Sequence, residues 1–284
     1  MPRKVGFILG QVWKPSNRPQ AAGGSCRRIV CLHGAESHSG WFAPFARHAL
    51  ATGNWSEVIA KDRAGWRGDV PSMEAAFAWI GKSFDQARSN KLTTTGDAPR
   101  VDVVATSWGA LAALAFLFDG PREAWRNIDT LHLVAPGIFP HKRLQCRIFW
   151  RGVAESFVGG GFISGRVPLD LNPDDFAEEP EINSWIAGDP LRNREVSWGF
   201  LRVTAALQRI VRKKIADGAL GQSAGSLRPA VFFHLPTKDP VIDLRRTTKL
   251  LCRGNAIIMQ YPSRQHGLVL QHPELLSAAI AKLK

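Results

Sequence analysis

The chain has 284 residues, 45% hydrophobic and 21% charged, which suits one large domain with a substantial core. Its 37 Lys and Arg against 24 Asp and Glu leave a net charge of +13, a balance that favours anionic lipid, nucleic acid or acidic substrates as partners. No apolar run approaches the ~20 residues of a membrane-spanning helix, nothing resembles a nucleic-acid module, and the four cysteines (26, 31, 146 and 252) make no Cys-x-x-Cys pair or zinc spacing.

In chain order, Met1-Pro2-Arg3-Lys4 and the apolar stretch 5–9 lack the length and cleavage site of a signal peptide. They read as the start of a strand over 5–13, and a cytoplasmic location is expected. Further strands are expected at 28–32, 58–61, 101–105, 130–134, 230–234 and 256–261. Helices are expected at 41–51, 73–89, 110–118, 195–215, 244–251 and 274–283. Several strands are continuous apolar runs, as expected of a parallel sheet covered by helices on both faces. The fold class is therefore α/β, with a mostly parallel central sheet.

The alternation breaks between Gly137 and about Glu195. That segment holds Gly159-Gly160-Gly161, scattered aromatics and an acidic patch (Asp174, Asp175, Glu178, Glu179, Glu181). Structureless loops of that length are uncommon unless functional, and α/β folds bind ligands at the carboxyl edge of the sheet. The segment reads as an inserted lid, or cap, after the fold's sixth strand. The expected organisation is a first part of the core at 1–136, the lid at 137–200 and a second part of the core at 201–284. The lid aromatics form either an acyl pocket or a small lid core, and His38, Trp41, Phe149 and Trp185 are candidate pocket residues.

The run Val103-Val104-Ala105-Thr106-Ser107-Trp108-Gly109-Ala110 carries the chemistry. A β-branched strand meets an alanine- and leucine-rich helix at a serine, so a sharp turn lifts Oγ clear of the sheet. Small residues at 105 and 109 let strand and helix cross closely. A nucleophilic serine needs a base, an orienting acid and an oxyanion hole. His266 follows the last strand. Asp239 follows the strand before it, with Asp243 four residues on as the other acid, expected to start or lie within the next helix. The loop from His33 to Phe42 can set the Ala35 N–H opposite that of Trp108, giving two donors for one oxyanion. His33 is expected to hold its own loop through a backbone hydrogen bond, Asp62 to fix the turn after its strand, and His132 and His234 to be core or edge histidines. The basic cluster 209–214 reads as a solvated helix face.

On these residues the chain resembles the α/β-hydrolases, and within them the monoglyceride lipase and lysophospholipase (serine aminopeptidase-like) group. That group carries His-Gly-x-Gly-Glu-His-Ser-x-Arg-Tyr, where this chain has His33-Gly34-Ala35-Glu36-Ser37-His38-Ser39-Gly40-Trp41-Phe42. The turn Asp62-Arg63-Ala64-Gly65-Trp66-Arg67-Gly68 is similar to the fold's Asp-x-x-Gly-x-Gly. Trp108 after the serine is also similar to the Gly-Gly-Ser-Trp-Gly of proline iminopeptidases, whose His-Gly-Gly-Pro-Gly loop is absent here. The resemblance implies a serine hydrolase acting on a carboxylic ester, such as a monoacyl or lysophospholipid ester, through an acyl-enzyme. Three alternatives are an aminopeptidase or amidase, a carbon–carbon bond hydrolase or acyltransferase, and a silent binding scaffold. No metal or cofactor is expected, the partner is a small-molecule ester, no nucleic acid is expected, and weak association with anionic membrane is allowed by the charge.

Overall fold

A computed structural model describes residues 10–15, 27–63, 69–89, 99–144, 165–220, 228–262 and 264–283. Among the described residues five strands precede the long excursion: β1 (Gln11–Trp13), β2 (Arg27–Leu32), β3 (Glu57–Ala60), β4 (Arg100–Thr106) and β5 (Ile128–Val134). Two short ones lie within it, β6 (Arg166–Pro168) and β7 (Glu195–Ser197), and β8 (Ala230–Pro236) and β9 (Ile257–Tyr261) follow. The helices are α1 (Ala43–Ala51), α2 (Met73–Ser89), α3 (Ser107–Asp119), α4 (Pro180–Gly188), α5 (Trp198–Ala216), α6 (Leu244–Arg253), α7 (Leu268–Gln271) and α8 (Pro273–Lys282).

The main sheet runs β1-β3-β2-β4-β5-β8-β9. β1 pairs antiparallel with β3, and every other neighbour is parallel. The apolar strands owe their composition to burial on both faces. In β2, Val30 and Leu32 join one core cluster with α2, α3 and α5, while Ile29 and Cys31 join the other with α1 and α8. Helix α3 is buried from Trp108 to Phe118, which explains why its sequence is apolar all round rather than striped.

Polar groups also cross this sheet. Asp102 on β4 accepts from Arg27 Nε and Nη2 (both 2.7 Å), Trp55 Nε1 (2.7 Å) and Thr130 Oγ1 (2.6 Å). His132 Nε2 meets Thr130 Oγ1 at 3.0 Å, His234 Nε2 meets His132 Nδ1 at 3.0 Å, and Tyr261 OH meets His234 Nδ1 at 2.8 Å. The anion at one end assigns every proton, so each donor points toward Asp102. Burial lowers His132 to about 4 and His234 well below its usual range, keeping both imidazoles neutral. His132 and His234 are thus core histidines with satisfied partners.

Several expected boundaries shift for local reasons. The expected helix 195–215 begins only at Trp198, because Ser197 caps it by accepting from Phe200 N (3.0 Å) and residues 195–197 pair with β6. Residues 39–42 form a 3₁₀ turn before α1, and α3 starts at Ser107 itself. Of the expected strand 5–13, residues 11–13 are strand and 1–9 lie outside the described residues. The excursion leaves from β5, fifth in chain order among the described strands, and holds a two-stranded sheet and α4 of its own. Among the described residues no helix is long and apolar enough to cross a membrane.

Candidate active site

Ser107 stands where β4 turns into α3, with φ +51. A left-handed φ at a residue with a side chain costs on the order of 1–3 kcal/mol and persists only where its surroundings enforce it. They do so here by close packing. A Cβ at Gly109 would lie 2.5 Å from the carbonyl oxygens of Leu32 and His33, and one at Gly34 would lie 3.2 Å from Ser107 Cβ. At Gly109 only glycine lets the helix cross this near the 33–35 loop, and at Gly34 a side chain would press on the serine by a few tenths of an ångström. The first N–H groups of α3 lack intrahelical acceptors, and the helix dipole places partial positive charge beside them; Trp108 N–H belongs to that turn.

His266 lies between β9 and α7 and is buried. Its Nδ1 stands 2.7 Å from Asp239 Oδ2, so this nitrogen donates to the carboxylate. The other carboxylate oxygen, Oδ1, accepts from Val241 N (2.8 Å) and Ile242 N (3.1 Å). Thr237 N to Tyr261 O and Lys238 N to Arg264 O, both 3.0 Å, tie the acid's loop to the histidine's. Gly267 N donates to Phe176 O (2.9 Å), fixing the histidine from the excursion's side. Asp243 is not in this constellation. It caps α6 by accepting from Arg246 N (3.0 Å).

Ser107 and His266 line one cavity of about 40 Å³ together with Ala35 and Glu36, walled by Trp41, Phe42, Leu171, Phe176 and Val269. An outer polar cleft of about 630 Å³ shares Glu36 and Leu171 with it and is bordered by Asp170, Asn172, Arg192 and Arg194. Of the expected pocket residues, Trp41 lines the inner cavity. Trp185 does not: it is 46% exposed and its ring centre lies 5.8 Å from that of Trp41. His38 does not line it either, because its Nε2 donates to Asp189 Oδ2 (2.9 Å). Phe149 lies outside the described residues.

Three side chains with no sequence signal complete the surroundings. Glu36 is buried and receives Arg192 Nε at 2.7 Å and Nη2 at 2.6 Å. Burial pushes its carboxyl up to about 7 against the pull of Arg192. Asp189 accepts from His38 and also from Trp41 Nε1 (2.8 Å). Burial works to raise its carboxyl, and these hydrogen bonds outweigh it, leaving it below the usual range. Arg63 is 5% exposed and donates to the carbonyls of the 33–35 loop. His33 holds its own loop as expected, whereas Asp62 reaches back to the 33–42 loop and residues 64–68 of its own turn lie outside the described residues. Asp62 accepts from Ser39 N (2.6 Å) and Oγ (3.0 Å), and His33 Nδ1 contacts Gly34 O (3.1 Å). Among the described residues no cluster of three or more His, Cys, Asp or Glu could hold a metal.

A family model described as serine aminopeptidase, S33, matches residues 24–266. Among curated protein sequences none matches the chain. Similar solved structures include the monoacylglycerol lipase of Paleococcus ferrophilus, at 16% identity over 90% of this chain and 93% of that one, TM-score 0.68. A soluble variant of the Saccharomyces cerevisiae monoglyceride lipase, in complex with a substrate analogue, is 12% identical over 99% and 97%, TM-score 0.71. Est1E from Butyrivibrio proteoclasticus with bound ferulic acid is 13% identical over 96% and 92%, TM-score 0.56. At these identities the likeness establishes the α/β-hydrolase fold.

Proposed function

The chain belongs to the serine aminopeptidase (S33) family, and on that premise we propose that it hydrolyses a carboxylic ester through Ser107, His266 and Asp239. The observation that carries this is the convergence of three strand ends: a serine at φ +51, and a histidine bonded to a buried carboxylate, open to one cavity. His266 Nε2 takes the Ser107 Oγ proton as Oγ attacks the ester carbonyl. The Ala35 and Trp108 N–H groups hold the oxyanion. Asp239, bonded at Nδ1, orients the imidazole and stabilises it when charged. The tetrahedral adduct collapses, His266 protonates the leaving alcohol, and an acyl-enzyme remains. His266 then activates a water that releases the acid and restores Ser107.

The apolar walls of the inner cavity suit the acyl chain, and the similar monoacylglycerol and monoglyceride lipases support the same bond class. The segment 137–200 acts as the lid in this reading, since Leu171 and Phe176 wall the cavity. A second reading, hydrolysis of an aminoacyl amide, draws on the family's description. Against it, the carboxylate facing the cavity, Glu36, is already paired with Arg192 and offers a poor anchor for a substrate ammonium.

A chain-length series of p-nitrophenyl esters beside aminoacyl anilides tests the reading. Ester turnover that vanishes in Ser107→Ala and His266→Ala supports it, and turnover of anilides alone overturns it. The +13 charge supports weak binding to anionic lipid. Flotation with anionic liposomes at low and high salt checks this, and negligible binding at both removes it.

A further inference from the structure

Arg63 follows β3, 30 residues from the loop it holds. Its Nη1 donates to Gly34 O (2.6 Å) and to His33 O (3.3 Å), and its Nη2 donates to Ala35 O (2.8 Å). Three successive carbonyls of one loop therefore share one guanidinium. Its backbone N–H also meets His33 Nε2 at 3.3 Å. The cation sits among rings, with Cζ 5.0 Å from the centre of Trp108, 5.7 Å from Trp79 and 5.8 Å from Phe200. Burial lowers its pKa to about 9, so it remains charged at neutral pH.

We propose that Arg63 is the positioning residue of the oxyanion hole, setting the direction of the Ala35 N–H and bracing the turn that carries the Trp108 N–H. A trans peptide points its C=O and N–H in opposite directions. With the Gly34 carbonyl drawn to Arg63, the Ala35 N–H of the same peptide unit points away from it, on the side where Ala35 and Ser107 line the cavity. The neighbouring peptide N–H of Gly34 is already used by Ser37 Oγ (2.8 Å), so the loop cannot rotate to present that donor instead. The same guanidinium lies against the Trp108 ring, whose backbone supplies the second donor, and that ring is anchored on its far edge by Nε1 donating to Thr204 Oγ1 (2.8 Å). Both donors are thus braced by one cation that does not touch the reacting atoms. Lysine would keep the charge but not the planar fork that serves several acceptors at fixed angles.

This inference rests on the oxyanion role assigned above to Ala35 and Trp108, and its test separates the two. Arg63→Lys and Arg63→Gln are compared with the wild type using one p-nitrophenyl ester and one alkyl boronic acid, which mimics the tetrahedral adduct. Rates are expressed per site titrated to completion with a fluorophosphonate, so unfolded molecules drop out. The expected result is a kcat lower by about 10²-fold, the scale of one lost oxyanion donor, with KM within about twofold and boronate affinity lowered in parallel. Lysine should recover less than a tenth of the lost rate. A kcat per titrated site within twofold of wild type in either variant overturns the inference, as does a rise in KM with kcat kept. A wild type that reacts with neither reagent at Ser107 overturns the active-site reading itself, and the inference falls with it.

Discussion

Two buried polar networks in this molecule are built on opposite plans. The one that crosses the sheet joins Asp102, Thr130, His132, His234 and Tyr261 on four neighbouring strands. Strand register sets Thr130 opposite Asp102 and puts His132, His234 and Tyr261 on the same face, each one pair out of step with the last, so its side chains refine an arrangement the backbone already makes. The network at the carboxyl edge joins Glu36 to Arg192 and His38 to Asp189, pairs 156 and 151 residues apart. There, no ladder sets the distances. Irregular segments are held by charged side chains, and Arg63 holds the same 33–42 loop by its carbonyls. Damage to the first network should register as lost stability, and damage to the second as lost catalysis.

The largest effect expected on the sheet side comes from Asp102→Asn. It turns part of a fourfold acceptor into a donor facing Arg27 and Thr130, and should cost about 3–5 kcal/mol of stability. Activity per folded molecule should stay within about twofold. Urea unfolding with active-site titration measures both, and a stable but inactive variant would collapse the distinction between the networks.

Acid should damage the sheet network next most. The folded-state pKa of His132 is lowered to about 4 and that of His234 well below 6.5. The unfolded chain therefore binds these protons first. The stability of the neutral pair is complete above about 6.5 and is lost as pH falls toward 4, on the order of 3 kcal/mol for His132 alone. Glu36 works the other way. Its folded pKa is raised to about 7, so the folded state gains relative stability as pH falls below that value. Unfolding of Glu36→Gln at pH 7 and at pH 5 removes that opposing carboxyl and reads the buried histidines together, His33 included because burial also holds it well below its usual range, and equal stabilities at the two pH values would contradict the account.

The smallest stability change is expected at the edge. Arg192→Met removes the cation from Glu36, whose carboxyl is already raised to about 7 and can take up a proton rather than remain charged. A cost of about 1–2 kcal/mol is expected, with kcat/KM reduced several-fold because the 33–36 loop loses one of its ties to the excursion while the Asn193 N to Glu36 O bond (2.8 Å) remains. A loss of stability above 4 kcal/mol with kcat/KM unchanged would place this pair with the sheet network instead.

The same contrast explains what could be read from the sequence. Strand ends are announced by local pattern, so the positions of Ser107, Asp239 and His266 just past their strands are legible in the sequence, as is the parallel sheet from its apolar runs. Boundaries gave way where a cap intervened, as at Ser197. The edge network left no local trace. Arg192 and Asp189 sit in an aperiodic segment, and Arg63 reads as an ordinary turn residue until the fold brings Gly34 and Trp108 to it. His38 reads from the sequence as either a pocket residue or a structural one, and its bond to Asp189 is the structural outcome. Trp185 belongs to α4 and turns outward onto Trp41.

The central claim is that Ser107 is a nucleophile activated by His266. Intact-mass and peptide mapping after fluorophosphonate treatment tests it most directly, with Ser107→Ala and His266→Ala alongside. One adduct per chain, mapped to Ser107, absent in the first variant and slowed by about 10³-fold or more in the second, is the predicted result. An unlabelled wild type, or equal labelling in all three proteins, would contradict it.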